Sequence, residues 1–145
     1  MEEPKEQKLT ILHVLSTINL FGGTPRKIFY FCLNSSFKNI IYYSGNKIID
    51  LHYDENKNQF LNSKIPFFDP FEKRQFIRTI VKILRLVKKE KIDIIQCNFN
   101  YDYIIGTFIK IFNPRVKLVF TFVGSENPTS KPKNIFLNFC FRFPD

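Results

Sequence analysis

Residues 9–15, LTILHVL, run into small, turn-prone residues and then into Gly22-Gly23-Thr24-Pro25, a succession that few folds accommodate. The apolar run is broken only by Thr10 and His13 and is too short for a helix, as expected of a parallel strand buried on both faces. The paired glycines allow positive φ and let a ligand approach the backbone without a Cβ in the way. Thr24 reads as an N-cap and Pro25 as the first helical residue, where the missing N–H would have had no partner. A buried strand, a glycine turn and a helix open an α/β unit.

Arg26 and Lys27 fall in the first turn of that helix, where the helix dipole disfavours cations. Two readings fit. Free backbone N–H groups beside two cations suit a phosphate or diphosphate. Alternatively, both side chains are solvated and the glycines only make a tight turn. The segment GGTPRK is neither Gly-x-Gly-x-x-Gly nor a Walker loop, so the motif alone does not decide.

The alternation continues along the chain. The first helix is expected to reach residue 36. A second strand at 39–43 is closed by Ser44-Gly45-Asn46, and residues 47–63 are polar and ambiguous, with short helical pieces at 48–51 and 60–61. Residues 64–68 read as an edge strand, because Pro66 cannot donate to a central ladder. Asp69-Pro70 is expected to start the longest helix, 71–91. One face of it is apolar, with Phe76, Ile80, Ile83, Leu84 and Val87, and a basic stripe carries Arg74, Arg78, Lys82, Arg85 and Lys89. A strand at 92–97, a polar and aromatic loop at 98–101, and a helix at 102–112 stopped by Asn113-Pro114 follow. The last strand is expected at 116–123, with a short helix at 134–141 in the tail. Strands alternating with helices predict a doubly wound parallel sheet, a single Rossmann-like α/β domain. With strand order 3-2-1-4-5, the loops 16–24, 97–101 and 123–127 meet at the carboxyl edge, where such sheets bind ligands.

The 145 residues, 44% of them apolar, suffice for one domain with a real core. Its expected extent is 9–126, after a disordered 1–8 and before a tail, 127–145. The net charge of +9 permits nucleic acid, anionic lipid or polyphosphate partners. No reader module accompanies the charge, so nucleic acid is not expected. The basic stripe is either a solvated face or a peripheral contact with an anionic membrane. Cys32, Cys97 and Cys140 lack the spacing of a zinc site or a disulfide framework, which fits a cytoplasmic protein. The acidic, polar MEEPKEQK is unlike a signal peptide, and no apolar run approaches the ~18 residues of a membrane span. His13 reads as a core histidine.

The segments ILHVLSTINLFGGTPRKI, KKEKIDIIQCNFNYDYIIGTFIKIF and VKLVFTFVGSEN together resemble the N-terminal domain of the family 4 glycosyltransferases, which have the two-domain GT-B fold. In that family a double glycine follows the first strand, here Gly22-Gly23. The chain departs from the pattern where the family has histidines: Gln96 and Asn98 stand at one place and Val123, before Gly124, at the other. Pro25 replaces the acidic residue after the glycines. These departures remove titratable groups, so no catalytic residue is assigned. The resemblance implies that Gly22, Gly23, Thr24 and Arg26 face the diphosphate of a nucleotide-sugar donor. It likewise implies that Asn98, Tyr101, Gly124, Ser125 and Glu126 face a sugar or lipid-linked acceptor; Glu126 reads equally as a solvated loop acid. No metal and no cofactor other than the nucleotide-sugar co-substrate is implied. The paired glutamates of the donor-binding half have no counterpart, so the chain is expected to be a fragment, a degenerate product or one subunit of a split transferase working with a donor-domain chain. The alternative is a non-catalytic partner subunit or a sugar- or nucleotide-binding protein.

Overall fold

β1, Thr10–Leu15, is buried at all six positions because a strand lies on each side of it and helices cover both faces. The computed structural model describes residues 8–21 and 23–121. In chain order the other elements are α1 (Gly23–Asn34), β2 (Lys38–Tyr43), α2 (Tyr53–Asn62), β3 (Phe67–Phe68), α3 (Phe76–Glu90), β4 (Ile94–Cys97), α4 (Asn100–Phe112) and β5 (Lys117–Phe120). The strands form one parallel sheet in the order β3-β2-β1-β4-β5, as the alternating pattern predicts. The chain builds outward from β1 in one direction through β2 and β3. It then crosses to β4 and β5 on the other side, so the strand order reverses between β1 and β4.

Side chains alternate across the sheet with the period of two that a strand imposes. Leu12, Val14, Ile40, Tyr42 and Ile95 pack with Ile80, Ile83, Leu86 and Val87 of α3 and with Tyr103, Ile105 and Ile109 of α4. On the opposite face Leu15, Ile41 and Tyr43 meet Ile28 of α1 and Tyr53 and Phe60 of α2. β3 is the edge strand expected from Pro66, which nonetheless contributes its carbonyl: Ile41 N–H donates to Pro66 O at 2.8 Å.

Several helix boundaries differ from the sequence expectation. α1 begins at Gly23, which takes a φ of 31°, so Thr24 lies inside the first turn, buried, and does not cap it. Pro25 is still within the first turn, where it costs no hydrogen bond. α3 begins at Phe76, five residues later than expected. Asp69, the supposed start signal, is occupied elsewhere: it pairs with Lys47 at 3.0 Å and Lys57 at 2.8 Å and accepts from the Tyr53 hydroxyl. The ambiguous stretch holds α2, whose buried side chains, Tyr53, Asn56 and Phe60, form a sparse but helical stripe. α4 starts at Asn100, which turns half of the expected 98–101 loop into its first turn. The expected tail helix lies outside the described residues.

A carboxylate at the switch point and the loops around it

The loops that leave the carboxyl ends of β1, β2 and β4 are joined by two aspartates. Asp102, in the first turn of α4, is 0% exposed. Its Oδ2 accepts from the Ser16 backbone N–H at 3.1 Å, just after β1, and its Oδ1 accepts from the Ser44 hydroxyl at 2.7 Å, just after β2. Asp50 makes the second tie: Thr17 Oγ1 donates to Oδ1 at 3.2 Å and Ile18 N–H to Oδ2 at 3.1 Å. Gly45 allows the close approach, because a Cβ there would lie 2.2 Å from the Ser16 carbonyl oxygen. The crossing point of the sheet is thus closed by side chains from three connections.

Burial pushes the Asp102 carboxyl up to about 7, opposed by the Ser44 and Ser16 hydrogen bonds and by the positive charge of Arg74. Arg74 precedes α3 and holds its guanidinium carbon 4.7 Å from the centre of the Tyr101 ring. Tyr101 is therefore half-buried under a cation, and a solvent-exposed charge stands at the mouth of the site. Gln96, on β4, donates to Thr121 Oγ1 at 3.1 Å, as the chain leaves β5 at the same edge.

The structure distributes the expected site residues as follows. Gly23 faces open space, with nothing within 4 Å of where a Cβ would sit. Thr24 is buried, whereas Arg26 is exposed. Arg26 lies 5.8 Å from the centre of the Tyr30 ring and lines a hollow of about 300 Å³ with Leu20, Phe21, Phe29, Asn56 and Gln59. Asn98 is 2% exposed, and neither its amide nitrogen nor its oxygen has a partner among the described residues. Ser16 of the 16–24 loop meets Asp102, one residue beyond the expected 97–101 loop, and Phe99 of that loop packs against the core cluster that holds Ile18; the third loop expected there, 123–127, lies outside the described residues. Gly22, Gly124, Ser125 and Glu126 lie outside the described residues. His13 is a core residue: it is wholly buried, its Nε2 is 3.0 Å from Asn39 Oδ1, and burial lowers its pKa.

Sequence reasoning passed over Ser44, Asp50, Asp102 and, in this role, Arg74. Asp102 carried a local signal, as the expected start of a helix, but nothing near it in sequence announces serines 58 and 86 residues away. His52 lies in the stretch 47–63 that the sequence leaves ambiguous. It stands at φ 59° before α2, with Nδ1 3.1 Å from Glu55 and its ring against Phe21 at 5.2 Å. Among the described residues no cluster of His, Cys, Asp or Glu could hold a metal ion, and no helix is long and apolar enough to cross a membrane.

No family model matches the sequence, and no curated protein does. Solved structures do. The chain superposes on Anabaena HepE in complex with UDP with a TM-score of 0.66 and 16% identity, covering 94% of this chain and 36% of that one. On a UDP-N-acetylglucosamine 2-epimerase the TM-score is 0.61 at 14% identity, covering 96% and 41%. The chain thus spans well under half the length of each. At such identities the likeness is one of fold, and it bears out the doubly wound, Rossmann-like α/β architecture of a GT-B half.

Proposed function

We propose that this chain is the acceptor-side domain of a GT-B glycosyltransferase, transferring a sugar from a nucleotide sugar during assembly of a polysaccharide or glycolipid. The observation that supports it best is the switch point itself. The connections after β1, β2 and β4 are tied together there by Asp102 and Asp50, and the first of them runs on to Gly23, which faces open space. That is where open parallel sheets bind ligands. Of the solved structures of similar fold, one is a complex with UDP and another is a UDP-N-acetylglucosamine 2-epimerase, which agrees with a nucleotide sugar as the ligand.

In this reading Gly22, Gly23, Thr24 and Arg26 line the diphosphate side, with Thr24 contributing backbone, since its side chain is buried. Asn98, Tyr101, Gly124, Ser125 and Glu126 face a sugar or lipid-linked acceptor. Transfer needs donor and acceptor atoms within about 3–3.5 Å, which GT-B enzymes reach by closing two domains. The proposal therefore pairs this chain with a donor-binding domain and expects no turnover without one. It places the protein in the cytoplasm, with the basic side of α3 available for peripheral contact with an anionic membrane.

A second reading, a non-catalytic sugar or nucleotide binder, is favoured by one observation. The carboxylate at the switch point is sealed from solvent, and Gln96 and Asn98 offer no proton.

Arg26 separates specific diphosphate binding from general surface charge. Arg26→Ala is expected to weaken UDP binding, measured by calorimetry with the donor-binding partner present, by ~1–3 kcal/mol, the scale of a charge-assisted hydrogen bond. Lys88→Ala, at the far end of α3, should leave it unchanged. Equal losses in the two variants would reduce Arg26 to surface charge.

A further inference from the structure

The basic stripe on α3 is not one surface. Arg74 turns to Tyr101, and Arg78 donates to Gln75 at 3.0 Å. Lys82, Arg85 and Lys89, by contrast, line a groove of about 440 Å³ between α3 and the edge strand β3. Its other walls are Tyr42, Phe67, Phe68, Pro70 and Leu86, so the floor is apolar and largely aromatic. The volume lies in the range of small-molecule sites, roughly 300–1,000 Å³. Asp69 closes one end, but its charge is already met by Lys47 and Lys57. None of the three groove cations has an acidic partner among the described residues.

Positions 82, 85 and 89 recur at three- and four-residue steps, so the cations share one flank of the helix, spread over about 10 Å of its axis at ~1.5 Å per residue. The opposite flank, with Ile77 and Val81 exposed, does not border the groove. Three unpaired cations above an aromatic floor define their complement. It is a molecule with a hydrocarbon chain to cover Phe67, Phe68 and Leu86 and a head carrying more than one negative charge, as a phosphate monoester does. The long lysine and arginine stems would lie along the chain while their heads meet the phosphate.

We propose that this groove binds a single-chain alkyl or isoprenyl phosphate as an individual molecule. The site lies on the β3 flank and is independent of nucleotide-sugar binding at the switch point, so either can fail without the other.

The probe is dodecyl phosphate, titrated below its micellar concentration into the full chain and followed by calorimetry. Inorganic phosphate, dodecyl maltoside and phosphatidylcholine vesicles containing phosphatidic acid form the comparison arms. Saturable one-to-one binding of dodecyl phosphate is expected, weakened at least tenfold by the double variant Arg85→Glu/Lys89→Glu and within twofold of wild type in Lys88→Glu. All the substituted side chains are exposed, and circular dichroism checks that the fold persists. Inorganic phosphate binding as tightly would reduce the groove to bare charge, and dodecyl maltoside binding as tightly would reduce it to bare apolar surface. Binding to the vesicles with no saturable binding of dodecyl phosphate would make α3 a bilayer contact. An equal loss in Lys88→Glu, or no binding at all, would likewise overturn the proposal.

Discussion

Asp102→Asn is expected to make the protein more stable at neutral and alkaline pH and to flatten its dependence on pH. The wild-type carboxyl titrates near 7 in the folded protein against an ordinary 3.8, because burial opposes its charge more than its partners favour it. Between those two values the folded chain holds a proton that the unfolded chain has released. This group's contribution is therefore most favourable below pH 3.8, declines as pH rises through that interval, and is constant at its least favourable above about 7. The full span, at 1.36 kcal/mol per pH unit, is about 4 kcal/mol. Asparagine keeps the geometry without the titration: its oxygen can accept from Ser16 N–H, and its amide can donate to the Ser44 oxygen. Urea unfolding of both proteins from pH 4 to 8 checks this. The wild type should lose stability relative to the variant as pH rises, by a few kcal/mol. Parallel curves would mean that Asp102 does not carry a raised pKa.

Gly45→Ala is expected to be among the most damaging single substitutions in the chain. Its Cβ would lie 2.2 Å from the Ser16 carbonyl oxygen and 2.6 Å from the Tyr43 ring. The first obstacle is backbone, which cannot rotate away. Relief requires the β1 and β2 connections to separate, and that pulls Ser44 from Asp102. Overpacking of this kind typically costs about 1–3 kcal/mol and occasionally more, and the loss of the Ser44 hydrogen bond to a buried carboxyl, which keeps only Ser16, adds roughly 1–3 kcal/mol. A loss of roughly 3 kcal/mol or more is expected by denaturant titration. Gly106→Ala offers a comparison, since its Cβ would meet only side-chain atoms, Cys97 Sγ and Leu118 Cδ1, both at 2.6 Å. Those side chains can shift, so its cost should be smaller. If Gly45→Ala proved the milder of the two, the close apposition of the β1 and β2 loops would be wrong.

The frame of the fold was legible because its signals are local. The apolar run of β1, broken only by Thr10 and His13, marks a central strand, Pro66 marks an edge, and Asn113-Pro114 ends α4. The misplaced boundaries share one physical cause, tertiary demand on a residue with a strong local preference. Asp69 resembles a helix cap but serves two lysines and a tyrosine. α2 was obscured because only Tyr53, Asn56 and Phe60 of its ten residues turn inward, and one of these is polar. Ser16, just after β1, Gly23, which opens α1, and Tyr101, in the first turn of α4, belong to connections that the alternating pattern already places at the carboxyl edge. The tie through Ser44, Asp50 and Asp102 was not legible, since its partners are distant in sequence and none matches a motif. The departures from the family pattern at Gln96 and Asn98 were visible from the start. The structure shows at these positions a pair of amides, one hydrogen-bonded to Thr121 and one buried.

The central claim is that a nucleoside diphosphate is held at the carboxyl edge of this sheet. Amide chemical-shift mapping tests it most directly, with the isotope-labelled chain and its unlabelled donor-binding partner titrated with UDP and, separately, with uridine. The account predicts that UDP perturbs the backbone amides of Ser16, Gly23, Arg26 and Tyr101, and that uridine, lacking the diphosphate, leaves them within error of the free protein. Perturbations clustered at the opposite edge, around Asp93 and Lys117, or a uridine response equal to that of UDP at Gly23, would contradict it.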